Sequence, residues 1–158
     1  MNREQFTALV KGEQESLRRF LLALCIGNRD DADDIAQEAL IKAYLARDKY
    51  CEREKFGAWL CRIAYHTFLD KLKTSHEYCD IDEAYSLQAD TTADGQFQYQ
   101  ELYTALRTLP TKERTAILLY YLKGYSISEV ASIVHCSEDA VRKQLSRGRE
   151  QLKIKIQR

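Results

Sequence analysis

At 158 residues the chain holds one medium domain or two small ones, enough to bury a core. Its 24 basic and 24 acidic side chains cancel, which on its face argues against a nucleic-acid partner. No 18-residue apolar run or signal-like apolar start is present, and the five cysteines form no CxxC pair, so membrane insertion, secretion, disulfide scaffolds and zinc ribbons are unsupported and a cytoplasmic protein with reduced thiols is expected.

The neutral sum hides blocks of opposed sign. Residues 1–73 carry 13 basic and 12 acidic side chains, residues 74–96 six acids and no Lys or Arg, and residues 97–158 11 basic against six acidic. A Debye length of roughly 8–10 Å lets each block act by itself.

One Pro, six Gly and no strict polar/apolar alternation predict an all-helical protein. The first helix is expected over 4–26, with Phe6, Leu9, Val10, Leu17, Phe20, Leu21 and Leu24 on its apolar side and Gly27-Asn28 as its stop. A second starts near Asp30 or Asp31 and runs to about Ala46. Ala32, Ile35, Ala36, Ala39, Leu40, Ala43 and Tyr44 form its core stripe. At 100° per residue, Asp34, Glu38, Ile41 and Leu45 gather on the opposite side, flanked by Gln37. A helix in a small bundle needs one buried face. The second is either a docking surface, with an apolar anchor and polar groups for register, or ordinary scattered surface apolar residues.

A polar stretch over 47–55 precedes a third helix, with Phe56, Trp59, Leu60 and Ile63 on one face. Phe68, Leu69 and Leu72 fall on another side, so this helix is bent or buried twice. Residues 74–96, with six acids and Asp94-Gly95, read as a flexible acidic linker between two small helical domains, 1–73 and 97–158.

The second domain is predicted as helices over 97–108 and over 111–123 after Pro110, with Gly124 as a stop. Ser126-Ile127-Ser128-Glu129 is a capping box opening a short helix that carries Val130, Ala131, Ile133 and Val134. His135-Cys136 turns the chain. Ser137 caps a last helix whose first turn carries Glu138 and Asp139, favourable beside the positive end of the helix dipole. Val141, Leu145, Gly148 and Leu152 form one buried stripe, while Arg142, Lys143, Ser146, Arg147, Arg149 and Lys153 occupy the remaining face. A short buried helix followed by a basic one reads as helix-turn-helix, the second helix entering a DNA major groove. The bland alternative is a solvated basic helix, against which stand seven Lys or Arg and one acid over 142–158.

Three stretches together resemble one family. Asp33-Asp34-Ile35-Ala36-Gln37-Glu38-Ala39-Leu40-Ile41-Lys42-Ala43-Tyr44 is similar to the D-D/E-hydrophobe-x-Q-E-x-hydrophobe-x-x-A-aromatic signature of extracytoplasmic-function (ECF, group 4) sigma factors of the sigma-70 family. Phe56-Gly57-Ala58-Trp59-Leu60-Cys61-Arg62-Ile63-Ala64 with Asp70-Lys71-Leu72-Lys73 resembles their F-x-x-W-L-x-R-I-A…D-x-L-R segment. Leu109-Pro110 through Leu152 resembles their L-P-x-x-x-R…G-x-S-x-x-E-I-A…V-(K/R)-x-x-L-x-R-(A/G)-R block.

The resemblance implies an all-α fold of a sigma region 2 bundle and a sigma region 4 helix-turn-helix. It implies a sigma subunit that binds core RNA polymerase and directs promoter-specific initiation, with an anti-sigma factor as a further partner. On this reading Asp34, Gln37, Glu38 and Ile41, with Leu45 beside them, dock on the clamp helices of the largest catalytic subunit. Tyr50, Arg53 and Lys55 hold a base flipped out of the −10 element, and Arg62 reaches backbone phosphates. His66 stands where the family commonly has Asn on the face that meets the non-template strand, the other reading being a surface histidine. Phe56 and Trp59 belong to the core. Arg142, Lys143, Ser146 and Arg147 enter the −35 major groove, where Arg can bind guanine bidentately, with Gln144, Arg149 and Lys153 as phosphate contacts or solvated side chains.

An enzyme reading finds no Gly-rich phosphate loop or nucleophile motif, and neither His76-x-x-Cys79 nor His135-Cys136 supplies four zinc ligands. No catalytic residue, metal or cofactor is expected. The rival is a helix-turn-helix transcriptional regulator that never engages polymerase. It shares residues 109–155 but has no use for Asp34, Gln37 and Glu38 opposite a separate core stripe.

Overall fold

The computed structural model describes residues 1–76 and 96–156; the expected acidic linker lies almost wholly outside the described residues, as does Cys79. In chain order the helices are α1 (Arg3–Leu24), α2 (Arg29–Leu45), a 3-10 turn (Arg47–Lys49), α3 (Phe56–His76), α4 (Gln96–Arg107), α5 (Thr111–Ile117), a π-helical turn (Leu118–Leu122), α6 (Ile127–Val134) and α7 (Glu138–Ile156). Among the described residues there is no strand.

Local chemistry sets most boundaries. Asn2 caps α1 in a reciprocal capping box with Gln5. Leu24 ends α1, and Ile26 and Gly27 turn the chain with φ of 55° and 81°. Asn28, itself buried, then caps α2 by accepting from the Asp31 amide at 3.1 Å. The Ser126–Glu129 capping box forms as the sequence predicts. His135 adopts φ 56°, the left-handed cap that ends α6, and Ser137 accepts from the Ala140 amide at 3.1 Å to start α7.

Two sequence expectations are corrected. Leu9 lies on the exposed side of α1, because Phe6, Leu17, Phe20, Leu21 and Leu24 already fill the face turned to α2 and α3. The helix expected over 111–123 does not run regularly: after Ile117 it widens into a π turn, and the Lys123 amide reaches back to the Leu118 carbonyl at 3.1 Å.

One continuous apolar cluster joins the N-terminal helices to the C-terminal ones. Helix α3 is buried twice. It packs on α2 and α1 on one side and meets α6 on the other. Arg114, only 4 % exposed, ties the two halves. It donates from Nε to the Leu106 carbonyl (3.0 Å), from Nη2 to Leu109 (3.1 Å) and from Nη1 to Leu24 at the end of α1 (3.2 Å). A cation at the C-terminal end of α1 also answers the negative end of that helix dipole.

Candidate functional site

The first candidate surface is the outer side of α2. Its small residues Ala32, Ala36, Ala39 and Ala43 bury with Ile35 against α1 and α3, and Leu40 and Tyr44 sit half-buried beside them. That close packing turns the other side fully outward: Ile41 is 61 % exposed and Leu45 76 %. Around them Asp34 lies 4.0 Å from Lys71 and Glu38 3.6 Å from Lys42, pairs open enough to water to hold their partners weakly. Gln37 is exposed on the same helix. Two large side chains left exposed among the described residues, bordered by exchangeable charges, make a surface for a protein partner.

The second candidate is the loop 47–55 with the start of α3. Phe56 and Trp59 are buried, as expected of core residues. Tyr50 packs edge-on to Phe56 with centroids 5.5 Å apart and tilted to Trp59 at 5.3 Å, and its hydroxyl donates to the Glu54 carbonyl at 2.8 Å. Burial, then the nearby Glu52 and Glu54, pushes its phenol pKa up, so it stays neutral. Arg53 is exposed. Arg62 is half-buried and pairs with Glu54 at 3.2 Å.

The remaining two residues of this group meet the C-terminal half, Lys55 staying largely exposed and His66 half-buried. Lys55 Nζ lies 3.0 Å from Glu129 at the start of α6. His66 is not a surface histidine: its ring stacks on His135 with centroids 4.8 Å apart and planes 20° from parallel. Its Nε2 is buried and has no hydrogen-bond partner among the described residues. Burial first, then His135 and Arg62, holds the His66 pKa below its ordinary 6.5, with Asp70 opposing. Glu129 is held below the usual carboxylate value chiefly by its bond to the Ser126 backbone amide, with Lys55 adding to it. Sequence reasoning gave Glu129 and His135 only helix-capping and turn roles. Those roles are real, and nothing in the local pattern signals that the same side chains reach across to α3.

The third candidate is α7. Val141, Leu145 and Gly148 are buried and Leu152 half-buried, the stripe predicted. At Gly148 a Cβ would stand 2.8 Å from Ile117 Cγ1, so glycine permits the close approach of α7 to α5. Arg142, Lys143, Ser146, Arg147, Arg149 and Lys153 are exposed, and Gln144 is half-buried. Arg142 is drawn to Asp139 at 2.8 Å and Glu138 at 3.9 Å, and Arg149 donates to the Tyr121 hydroxyl at 3.1 Å. Lys143, Ser146 and Arg147 project from the same helix as Arg142, directly after a short helix and a left-handed turn. That is the arrangement of a recognition helix for duplex DNA.

Residues 9–77 match the family model "Sigma-70 region 2" and residues 99–152 match "Sigma-70, region 4". The ECF RNA polymerase sigma factor EcfG of Rhodopseudomonas palustris is 31 % identical over 87 % of this chain and 77 % of its own length. The chain belongs to the ECF RNA polymerase sigma factors.

This sigma factor is also 29 % identical to SigW of Bacillus subtilis, over 99 % of this chain and 97 % of that protein. Its fold matches that of the sigma factor RpoE of Bartonella quintana, solved in complex with the anti-sigma factor NepR, with a TM-score of 0.83, 24 % identity and 98 % coverage of both chains. CnrH, solved with the cytosolic domain of CnrY, matches with a TM-score of 0.75 and 24 % identity over 99 % of this chain and 90 % of CnrH. As a sigma factor it binds core RNA polymerase and promoter DNA and directs transcription initiation, and the regulator reading falls away. The family is one of non-catalytic initiation factors. No described helix is long and apolar enough to cross a membrane.

Proposed function

We propose that this is a group 4 sigma factor acting in the cytoplasm, whose work divides among the three surfaces. Asp34, Gln37, Glu38, Ile41 and Leu45 dock on the clamp helices of the largest polymerase subunit. Tyr50, Arg53, Lys55, Arg62 and His66 hold the −10 element, and Arg142, Lys143, Ser146 and Arg147 read the −35 element with Gln144 and Arg149 on the flanking backbone. The domain limits that fit this division are 1–73 for region 2 and 97–158 for region 4, with 74–96 as the tether. An anti-sigma factor that masks these surfaces is the expected regulator.

The observation that carries the reading is the exposed Ile41–Leu45 pair on a helix whose opposite face already fills the core. A duplex-binding regulator needs no such second face. Two modest contacts on one chain, each weak alone, also gain from effective concentration when polymerase and promoter are presented together.

The test is runoff transcription with core polymerase and purified protein, paired with a polymerase-binding assay. Promoter-specific initiation is expected, with core affinity lost in Asp34→Ala plus Gln37→Ala while duplex binding is kept. Core affinity unchanged in that double variant overturns the assignment of the docking surface.

A further inference from the structure

Tyr121 is a large aromatic side chain that lies 56 % exposed and is nonetheless held at both its ring and its hydroxyl. The half-buried Tyr120 packs edge-on against the ring, with centroids 5.0 Å apart and planes at 79°. Arg149 of α7 donates from Nη1 to the hydroxyl at 3.1 Å. Tyr121 also stands inside the π turn, a rare form of helix that is frequent at functional sites. The sequence alone offers no role for it, because Leu118 to Leu122 reads there as the end of an ordinary helix.

A phenol oxygen that accepts from Arg149 keeps its own proton to give. Among the described residues that proton has no acceptor and Arg149 has no carboxylate partner. The two side chains therefore place a free O–H beside the remaining N–H groups of a guanidinium, on exposed surface. Ser146 and Lys153 line the same cleft, over a floor of Ile117 and Leu152, with Glu150 as the acid on its rim. Two cations against one acid leave the cleft positive. A guanidinium fork with a hydroxyl and an ammonium beside it fits a phosphate, which offers several acceptor oxygens.

Helix α7 says whose phosphate this is. At about 100° per residue, Arg142, Ser146, Arg149 and Lys153 fall within about 60° of one another. They form one flank of the helix, between the buried stripe and the side that carries Lys143 and Arg147. A helix seated in the major groove turns its flanks to the strands that wall the groove, and contacts there fix the helix without reading bases.

We propose that Tyr121 and Arg149 form one site for a DNA backbone phosphate at the edge of the −35 surface, the Tyr121 hydroxyl donating to the phosphate and fixing the guanidinium that binds it. This rests on the assignment of α7 to the −35 element above, and adds to that surface a residue from the π turn.

Binding is measured with holoenzyme, the full chain assembled with core RNA polymerase, on a duplex recovered from a randomised pool by selection on the wild type. Core alone gives the background, and circular dichroism shows that each variant is folded. Tyr121→Phe keeps the ring and its contact with Tyr120 and removes the hydroxyl. It is expected to bind about three- to tenfold more weakly, the loss of one hydrogen bond, and equally so on matched and mismatched duplexes. Its salt slope should stay that of the wild type, since no cation is lost, whereas Arg149→Gln should lower the slope by about 1. In an Arg149→Gln background, Tyr121→Phe is expected to cost less than about twofold, because neighbours that serve one contact do not add. Replacing single backbone phosphates by neutral methylphosphonates locates the contact: one flanking phosphate should matter to the wild type and no longer to Tyr121→Phe.

The same methylphosphonate profile in wild type and Tyr121→Phe, or full additivity of Tyr121→Phe and Arg149→Gln, overturns the Tyr121 site. Arg142→Ala and Arg147→Ala then decide the −35 assignment separately: duplex affinity lost in them leaves it standing, and affinity kept in both sinks it as well. Core affinity lost in Tyr121→Ala, with duplex binding unchanged in Tyr121→Phe, also overturns the site and gives the ring to a protein partner.

Discussion

Two residues show how much a single side chain holds in this molecule. Arg114 donates to three carbonyls in a buried setting. Removing it strands those acceptors, a loss of about 2–4 kcal/mol. Arg114→Ala is therefore expected to lower the thermal midpoint by roughly 4–16 °C, at about 2–4 °C per kcal/mol for a chain of this size, and a melt followed by circular dichroism reads it directly. Gly148 carries the opposite constraint, since α5 leaves no room above it. Gly148→Leu gains helix propensity of under about 1 kcal/mol but overpacks against the buried Ile117 by about 1–3 kcal/mol or more. A net drop in denaturant midpoint is expected, and a stabilised protein would refute the close-packing account. The sequence marks both positions as motif residues, yet only the fold says why: the carbonyl of Leu24 lies ninety residues from Arg114 in the chain.

At the scale of elements, α2 and α7 were the most legible. Each has an apolar stripe at helical spacing, and each stripe buries where the spacing puts it. The leftover face of α2 was legible for the same reason, because a side chain excluded from the core by period must point outward. Ile41→Asp is accordingly expected to change stability by no more than about 0.5 kcal/mol, and to weaken core-polymerase binding at least about tenfold if Ile41 is an apolar anchor. Binding retained with Ile41→Asp would move the docking surface elsewhere.

On α7, Arg147→Ala is expected to relax base preference at one −35 position at a cost of about 1–3 kcal/mol. Lys153→Ala should weaken all duplexes alike and reduce the salt slope by about 1. Salt titrations on matched and mismatched duplexes separate the two. The π turn at Leu118–Leu122 was not legible: LLYYL has no breaker, and the widening answers to how Lys123 and Tyr125 reach region 2.

At the scale of the whole molecule, the reading of two helical domains in the right order was carried by charge blocks and motif spacing, which are properties of each segment. Their packing against each other was not legible. Seam residues such as Cys61, Tyr65 and His66 are dispersed on α3, and each already has an ordinary local explanation. The doubly buried character of α3 was the one hint, since a helix with apolar side chains on two sides needs two neighbours. Neutralising the six acids of 74–96 is a whole-molecule test of a different kind. If that block repels phosphate, the neutralised chain binds duplex DNA more tightly at low salt, and the difference vanishes as salt screens it.

The corner between α1 and α2 has a bearing on how an opening would be felt elsewhere. Region 4 roofs that corner twice, with Arg114 on the Leu24 carbonyl and with the ring of Tyr103 against Gly27, where an added Cβ would lie 3.2 Å from it. The next residue, Asn28, is the cap from which the polymerase-facing helix starts. Swinging region 4 away thus unroofs the first turn of α2, and whatever tightens that turn favours the roofed arrangement in return, because linkage between two sites is reciprocal. Amide hydrogen exchange gives this a number. Protection at residues 26–32 should fall in Arg114→Ala although the substitution lies in another helix, while the middle of α2 keeps its protection.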